Sequence, residues 1–555
     1  MNTLDMTQPT GRSPVQGTGP VAARKPVYQN SLPPCNHSCP AGNDIQSALA
    51  LAQEGRFEEA WRTFMANNPL PATHGRICYH PCEDGCSRVQ VDDGVSIHSI
   101  ERYLGDMAIE QNWLMPLPPV ETGKKVLVVG AGPSGLTAAY HLRLQGHTVE
   151  IRDAAPIAGG MMQFGIPAYR LPGDVLAAEI ARIESMGIVI TLNHRVEDLM
   201  MEKRDGGFDA VYLAIGAHIG KQVDIPARDA GKVLDAVSFL RETGLGEKPV
   251  LGRRVAICGG GNTAMDTART AKRMGVDEAM IIYRRDRDHM PAHSFEADEA
   301  EAEGVNIHWL RTIQNIEGSE YQVEIMEIGD DGRPTPTGRY ETLQVDSLIL
   351  ALGQDVERSM LDTVPGLELD RWGSSVTVDE KMMTGCEGIF AGGDMVPSDR
   401  TATIAVGHGK KAARNMNAWL KAERLNEKTA PIMVNFEGLH LWYRTQADRQ
   451  HEDALSPEQR NDFSEVVHGL SEVQIRFEAS RCFSCGNCFE CDGCFGACPE
   501  GAITKLGKGE GYQVNHDLCT GCLACYRQCP SHAIEMQAVQ QEVSLPTMAV
   551  RMEVR

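Results

Sequence analysis

The chain has 555 residues, a formal net charge of −22, and 42% hydrophobic and 23% charged residues. That length exceeds a single hydrophobic core and predicts about two to four domains. The acidic balance argues against nucleic acid or an anionic membrane surface as a partner, and no run of about 18 apolar residues offers a membrane span.

The N-terminus "MNTLDMTQPTGRSPVQGTGP" has no apolar signal core, so residues 1–30 are expected to be a polar, mobile leader of a cytoplasmic protein. The chain carries 17 cysteines. Without an export signal they argue for metal rather than disulfides. Five come early: Cys35, Cys39, Cys78, Cys82 and Cys86. Cys258 and Cys386 stand alone and read as buried small hydrophobes.

"KKVLVVGAGPSGLTAAYHL" opens at Lys124 with a β-rich run, then Gly130, Gly132, Pro133, Ser134 and Gly135, then a helical stretch. The glycines allow a tight turn and let the backbone approach a pyrophosphate at a helix N-terminus. The next strand ends in Asp153, about 20 residues on, where a ribose hydroxyl needs an acceptor. "RRVAICGGGNTAMDTARTAKRMG" repeats the pattern, with Gly259, Gly261 and Ala264 at the fingerprint positions and Asn262 and Thr263 between them. Its following strand ends in Arg284 and Arg285 rather than an acid. That suits the 2′-phosphate of NADPH, unless both are simply solvated.

"VYLAIGA" and "SLILALGQD" read as buried strands of the first nucleotide unit, turning at Gly216 and Gly353. "GIFAGGDM" places Gly393 and Asp394 before a helix. Asp394 is positioned either to accept from a flavin ribityl hydroxyl or to cap that helix.

A connector (421–480) includes "RNDFSEVVHGLSEVQIRFEASRC", which reads as an amphipathic helix. Two CxxCxxCxxxCP runs follow. In such a pair each four-iron cluster takes three cysteines of one run and the last of the other. Cys488, Cys491, Cys494 and Cys529 then form one set, and Cys519, Cys522, Cys525 and Cys498 the other. Soft thiolates suit iron–sulfur clusters, and structural zinc is the alternative. Cys482 and Cys485 precede the first run and are not needed by it.

The motifs "PPCNHSCPAGNDI", "NNPLPATHGRICYHPCEDGC", "VVGAGPSGL", "AGGMMQFGIPAYRLP", "CGGGNTAMD", "YRRDRDHMPA" and "FAGGDM" occur in one order between about Cys35 and Leu420. Over this span the chain resembles the small subunit of NADPH-dependent glutamate synthase and its relatives. These include the electron-input half of dihydropyrimidine dehydrogenase and the large subunit of NADH-dependent ferredoxin:NADP oxidoreductase. The resemblance implies FAD on the first fold, with Gly160 and Arg170 of "AGGMMQFGIPAYRLP" at the cofactor, and NAD(P)H on the second. It implies Cys39, Cys78 and Cys82 as ligands of a flavin-side cluster, with Glu101 at the family's non-cysteine ligand position or else on the helix surface. Relatives carry an "RCxxCG" pair just before the equivalent of Cys35, where this chain reads "YQNSLPP". "RCFSCG", with Cys482 and Cys485, has that spacing at the other end. Cys35, Cys86, Cys482 and Cys485 are therefore expected to share a fourth cluster, the alternative being free thiols in a linker.

The expected fold is α/β, with two Rossmann-like nucleotide-binding domains. A helical iron–sulfur domain (31–120) leads to an FAD domain (121–230 and 346–420), into which an NAD(P)H domain (231–345) is inserted. The connector joins these to a bacterial-type two-cluster ferredoxin domain (481–536) and a tail (537–555). The expected function is an electron-transfer oxidoreductase subunit. It would link a nicotinamide nucleotide, through FAD and four-iron clusters, to a partner such as a ferredoxin or a 2-oxoacid oxidoreductase. A glutamate synthase small subunit is the second reading, and the extra ferredoxin domain counts against it. A non-catalytic scaffold is the third, opposed by two intact fingerprints.

Overall fold

The computed structural model describes residues 23–117, 120–221, 227–228, 232–425 and 431–539. The N-terminal helices are held by two glycines. Helix Pro71–Ile77 crosses helix Ile97–Glu110 at backbone contact. A Cβ at Gly75 would lie 2.4 Å from the Arg102 backbone nitrogen, and one at Gly105 would lie 2.2 Å from that of Ala72. This crossing sets Cys78, just beyond the first helix, against Glu101 on the second. Trp61, Phe64 and Leu104 fill the space beneath, in one core with Val128 and Leu213 of the next domain.

The first nucleotide sheet is fully parallel. Its order is Ile389–Ala391, Ala210–Leu213, Lys125–Val129, Thr148–Arg152, Val189–Thr191. Its central strands, Lys125–Val129 and Ala210–Leu213, are apolar and almost wholly buried, as strands inside a parallel sheet are. Helix Pro133–Leu144 packs on helix Ala402–Leu420 so closely that a Cβ at Gly409 would meet the Ser134 carbonyl oxygen at 2.3 Å. The second sheet is also parallel: Asn306–Trp309, Glu278–Tyr283, Arg254–Cys258, Ser347–Leu350, Lys232–Asp235. It has its own core, around Val255, Ile257 and Ile281.

Three expectations need correction. Ser347–Leu350, expected on the FAD side, pairs with Arg254–Cys258 and Lys232–Asp235 in the second sheet. A fully buried apolar strand carries no mark of which parallel sheet it enters. The segment from Arg460 to Leu470 is not helix; only Glu472–Ser480 is, started by a Ser471–Gln474 capping box. The preceding residues bond elsewhere, the Val466 amide to the Tyr169 carbonyl and the Glu465 carboxylate to Arg76 and Arg102. Lastly, part of the leader is ordered. Arg24–Tyr28 is a strand antiparallel to Ile534–Ala538, with Tyr28 opposite Ile534. The rest of the leader, 1–22, and the tail from 540 lie outside the described residues.

The ferredoxin region also has the hairpin Ile503–Gly507/Gly511–Val514 and two short helices, Gly493–Ala497 and Ala524–Gln528. The connector acts as a polar strap. Glu478 accepts from the amides of Ser96 and Gln450 and from Arg481, and the buried Arg481 reaches Asp92 and the carbonyls of Asp93 and Gly94. Among the described residues no helix is long and apolar enough to cross a membrane.

The glycine crossing predicts that Gly75→Ala forces the two helices apart. It should cost about 1–3 kcal/mol, the usual range for overpacking. Thermal unfolding measured by circular dichroism should give a lower midpoint than wild type.

Candidate functional site

One cavity of about 620 Å³ joins the two nucleotide folds. Its walls include Gly130, Gly132, Pro133, Ser134, Asp153, Gly160, Arg170, Gly216, Gly353, Gly393 and Asp394, and, from the second fold, Asn262 and Thr263. Gly130 has φ +107, and a Cβ there would lie 2.3 Å from the Ala214 carbonyl oxygen. Around Gly132, by contrast, an added Cβ meets only the Gly160 Cα, at 3.9 Å. That is an open cradle at the start of helix Pro133–Leu144, as a pyrophosphate requires. Gly135 lies outside the cavity. A Cβ there would sit 1.9 Å from the Gly130 oxygen, so its role is to seat the helix against the strand.

Asp153 accepts from the Ala131 amide at 2.6 Å and the Ala155 amide at 2.7 Å, holding the turn at the cavity edge. Burial pushes Asp394 up to about 6, against the pull of Arg400. The helix beyond is capped by Thr401, whose side chain accepts from Ile404, which leaves Asp394 to face the cavity.

On the second fold Gly259, Gly261 and Ala264 do not line the cavity, although Asn262 and Thr263 between them do. Around Gly261 nothing comes within 4 Å of an added Cβ. Arg284 is exposed and Arg285 half-buried at the end of strand Glu278–Tyr283, outside the cavity.

Some lining residues gave no sequence signal. Ile77 and Tyr79, which flank Cys78, form part of the wall, as do Thr401 and Ala402. The Thr403 hydroxyl donates to Cys78 Sγ at 3.1 Å. Tyr79 stacks on His293 with ring centroids 3.8 Å apart and accepts from Asn262 at 2.5 Å. Arg170 bridges Asp266 (2.7 Å) and Glu296 (2.9 Å), tying the two folds together. Burial pushes Glu296 up to about 7, partly offset by Arg170.

The cysteines fall into four groups. Cys35, Cys86, Cys482 and Cys485 line one small cavity. Cys488, Cys491, Cys494 and Cys529 line a second, and Cys498, Cys519, Cys522 and Cys525 a third. Cys39, Cys78, Cys82 and Glu101 form the fourth group, each close enough to perturb another's ionisation. Burial pushes the thiols up: Cys78 and Cys482 to about 12, Cys485 to about 11, and Cys35 well above its ordinary value. Neighbouring sulfurs raise Cys35 and Cys482 further. Sets of soft sulfurs, most of them at least partly buried, fit a cluster whose positive iron makes the thiolate the stable form. Glu101 is buried, not on the helix surface. Burial pushes it up to about 7, and it accepts from Asn68 at 2.8 Å and Asn43 at 3.1 Å.

Fold and site together define a flavin- and nicotinamide-dependent oxidoreductase carrying iron–sulfur domains. Residues 124–409 match the pyridine nucleotide-disulphide oxidoreductase family, residues 23–113 match dihydropyrimidine dehydrogenase domain II, 4Fe-4S cluster, and residues 512–535 match a 4Fe-4S binding domain. The chain is 35% identical over 504 residues to the NADP(+)-dependent formate dehydrogenase subunit beta of Moorella thermoacetica, covering 81% of this chain and 70% of that one. It is 33% identical over 502 residues to the NADPH-Fe(3+) oxidoreductase subunit beta of Geobacter sulfurreducens, covering 81% and 75%. With the glutamate synthase [NADPH] small chain of Azospirillum brasilense it shares 33% identity over 438 residues, covering 74% and 90%. The chain belongs to the pyridine nucleotide-disulphide oxidoreductase family, in the group that includes glutamate synthase small chains.

The two open glycine cradles predict separable losses. Gly132→Val should purify without flavin absorbance and with an unchanged fold by circular dichroism. Gly261→Val should keep the flavin but fail to bleach when NADPH is added anaerobically.

Proposed function

We propose that this chain is the electron-transfer subunit of a larger oxidoreductase, linking NADPH to a partner protein through FAD and four four-iron clusters. The partner is a ferredoxin or a catalytic subunit, with a 2-oxoacid oxidoreductase as one class. When bound, FAD exchanges a two-electron hydride for single electrons and the clusters carry electrons singly. The chain's own residues bind and order these groups. The observation that carries the reading is the shared cavity wall. Gly130 and Gly132 of the first fingerprint and Asn262 and Thr263 of the second line one cavity, as do Ile77 and Tyr79, the two neighbours of Cys78 in the chain.

The ligand sets we propose are Cys39, Cys78, Cys82 and Glu101 beside the flavin; Cys35, Cys86, Cys482 and Cys485 next; and then the two ferredoxin sets. Cys485 and Cys488 are three residues apart in sequence, which favours that order. Cys488, Cys491 and Cys522 are exposed, which supports a partner docking at the ferredoxin end. NADPH is supported by the names of the relatives and by Arg284 and Arg285 beside the second fingerprint. The longer matches are to the two beta subunits rather than to the glutamate synthase small chain, which favours an electron-transfer subunit of that kind.

Anaerobic titration of the isolated chain with NADPH tests the function. Flavin bleaching without any partner is expected, and no bleaching by NADPH or NADH rules the reading out. Replacing Arg284 and Arg285 with Ala should weaken NADPH much more than NADH, measured as the nucleotide concentration for half-bleaching. The Cys482→Ser, Cys485→Ser double variant should lose about four of about sixteen irons per chain while keeping the ferredoxin signals. Unchanged iron would remove the shared cluster from the account.

A further inference from the structure

The two ferredoxin sites are near copies. In the first run Asp492 and in the second Leu523 adopt the same left-handed backbone, φ 62 and φ 69, one residue after the second cysteine. Each following helix is five residues long and carries the third cysteine. The closing cysteine of each run accepts one amide at almost the same distance: Ala502 to Cys498 Sγ at 3.3 Å, Ala533 to Cys529 Sγ at 3.2 Å. Bonds to the sulfurs are a main lever on a cluster's potential. At the closing cysteines the backbone donors match, so a difference in sulfur bonding has to come from side chains.

Beyond the Ser531 hydroxyl, 3.7 Å from Cys529 Sγ, the strand Arg24–Tyr28 breaks this equivalence. It comes from the opposite end of the sequence and lies along Ile534–Ala538. Pro26 lines the Cys498, Cys519, Cys522 and Cys525 cavity, whereas Tyr28 lines the Cys488, Cys491, Cys494 and Cys529 cavity. The Tyr28 hydroxyl is 3.1 Å from Cys494 Sγ. A cluster-bound thiolate only accepts, so the phenol is the donor. Cys525, the counterpart of Cys494, has no side-chain hydroxyl bonded to it among the described residues. Tyr28 is held in place. Its ring stacks on Tyr512 at 6.1 Å and 21°, the Pro26 carbonyl meets His516 Nε2 at 3.1 Å, and the Gln29 amide reaches the Ala533 carbonyl at 3.0 Å.

We propose that Tyr28 is a positioning residue that makes the two ferredoxin sites unequal, raising the reduction potential of the one held by Cys488, Cys491, Cys494 and Cys529. A hydroxyl donated to a ligand sulfur stabilises the more negative, reduced cluster, so the site that has it is reduced first. The inference rests on the reading that both cysteine sets hold four-iron clusters.

The experiment is a potentiometric titration of the full chain followed by electron paramagnetic resonance, comparing wild type with Tyr28→Phe. Phenylalanine keeps the ring stack and removes only the hydroxyl. Iron is counted in each sample, and the signal of the first site is assigned as the one altered in Cys488→Ser. The expected result is a lower potential for that signal alone, an unmoved second ferredoxin signal and full iron content. Full iron with neither signal moved, or with both moved equally, overturns the proposal. So does iron loss in Tyr28→Phe without a shift in the clusters that remain, because the strand would then be merely structural. If Cys488→Ser and Cys519→Ser leave the iron content of wild type unchanged, the failure lies in the cluster reading, and the role of Tyr28 falls with it.

Discussion

Sulfur buried away from water resists ionisation, and this chain buries cysteines in sets. Cys35, Cys82 and Cys482 are each held well above the ordinary thiol range, first by burial and then by neighbouring sulfurs or carboxylates. Such groups are costly as bare thiolates and comfortable once they face a cation. In our reading that electrostatic demand organises the molecule. It draws Cys35 and Cys86 to the same cavity as Cys482 and Cys485, nearly 400 residues later. The connector's polar strap, from Arg88 and Asp92 to Glu478 and Arg481, closes over the same place. Ligand binding and the meeting of the chain's two ends are then one event.

The nucleotide domains answer a different demand. Hydride exchange needs two cofactors face to face, and one cavity shared by both fingerprints meets it. Arg170, Asp266 and Glu296 hold the folds together across that cavity, and Tyr79 with His293 and Asn262 joins the helical domain to the second fold. The helical domain and the first nucleotide domain share one hydrophobic core, whereas the second nucleotide domain keeps its own. The FAD side and the first cysteine set are thus built as one piece.

Local chemistry was readable in the sequence, and long-range placement was readable only where cysteine motifs marked it, as for Cys35, Cys86, Cys482 and Cys485. Gly130, Gly132 and the paired CxxCxxCxxxCP runs announce themselves because the backbone turn and the ligand spacing are local requirements. The strand Arg24–Tyr28 carries no local strand signal, since "RKPVY" has little alternation and contains a proline. Its pairing depends on Ile534–Ala538, more than 500 residues away. Nothing local tells which sheet Ser347–Leu350 enters, because buried parallel strands look alike. The Thr403 and Tyr28 hydroxyls on Cys78 and Cys494 had no signal, since a lone Thr or Tyr marks nothing until the fold brings it to a sulfur.

Native mass spectrometry of the intact chain, purified without oxygen, tests the central claim most directly. The account predicts a mass equal to the polypeptide, one FAD and four four-iron, four-sulfur clusters. A mass with one FAD and only three clusters would contradict it, leaving one of the four cysteine groups without the role assigned to it.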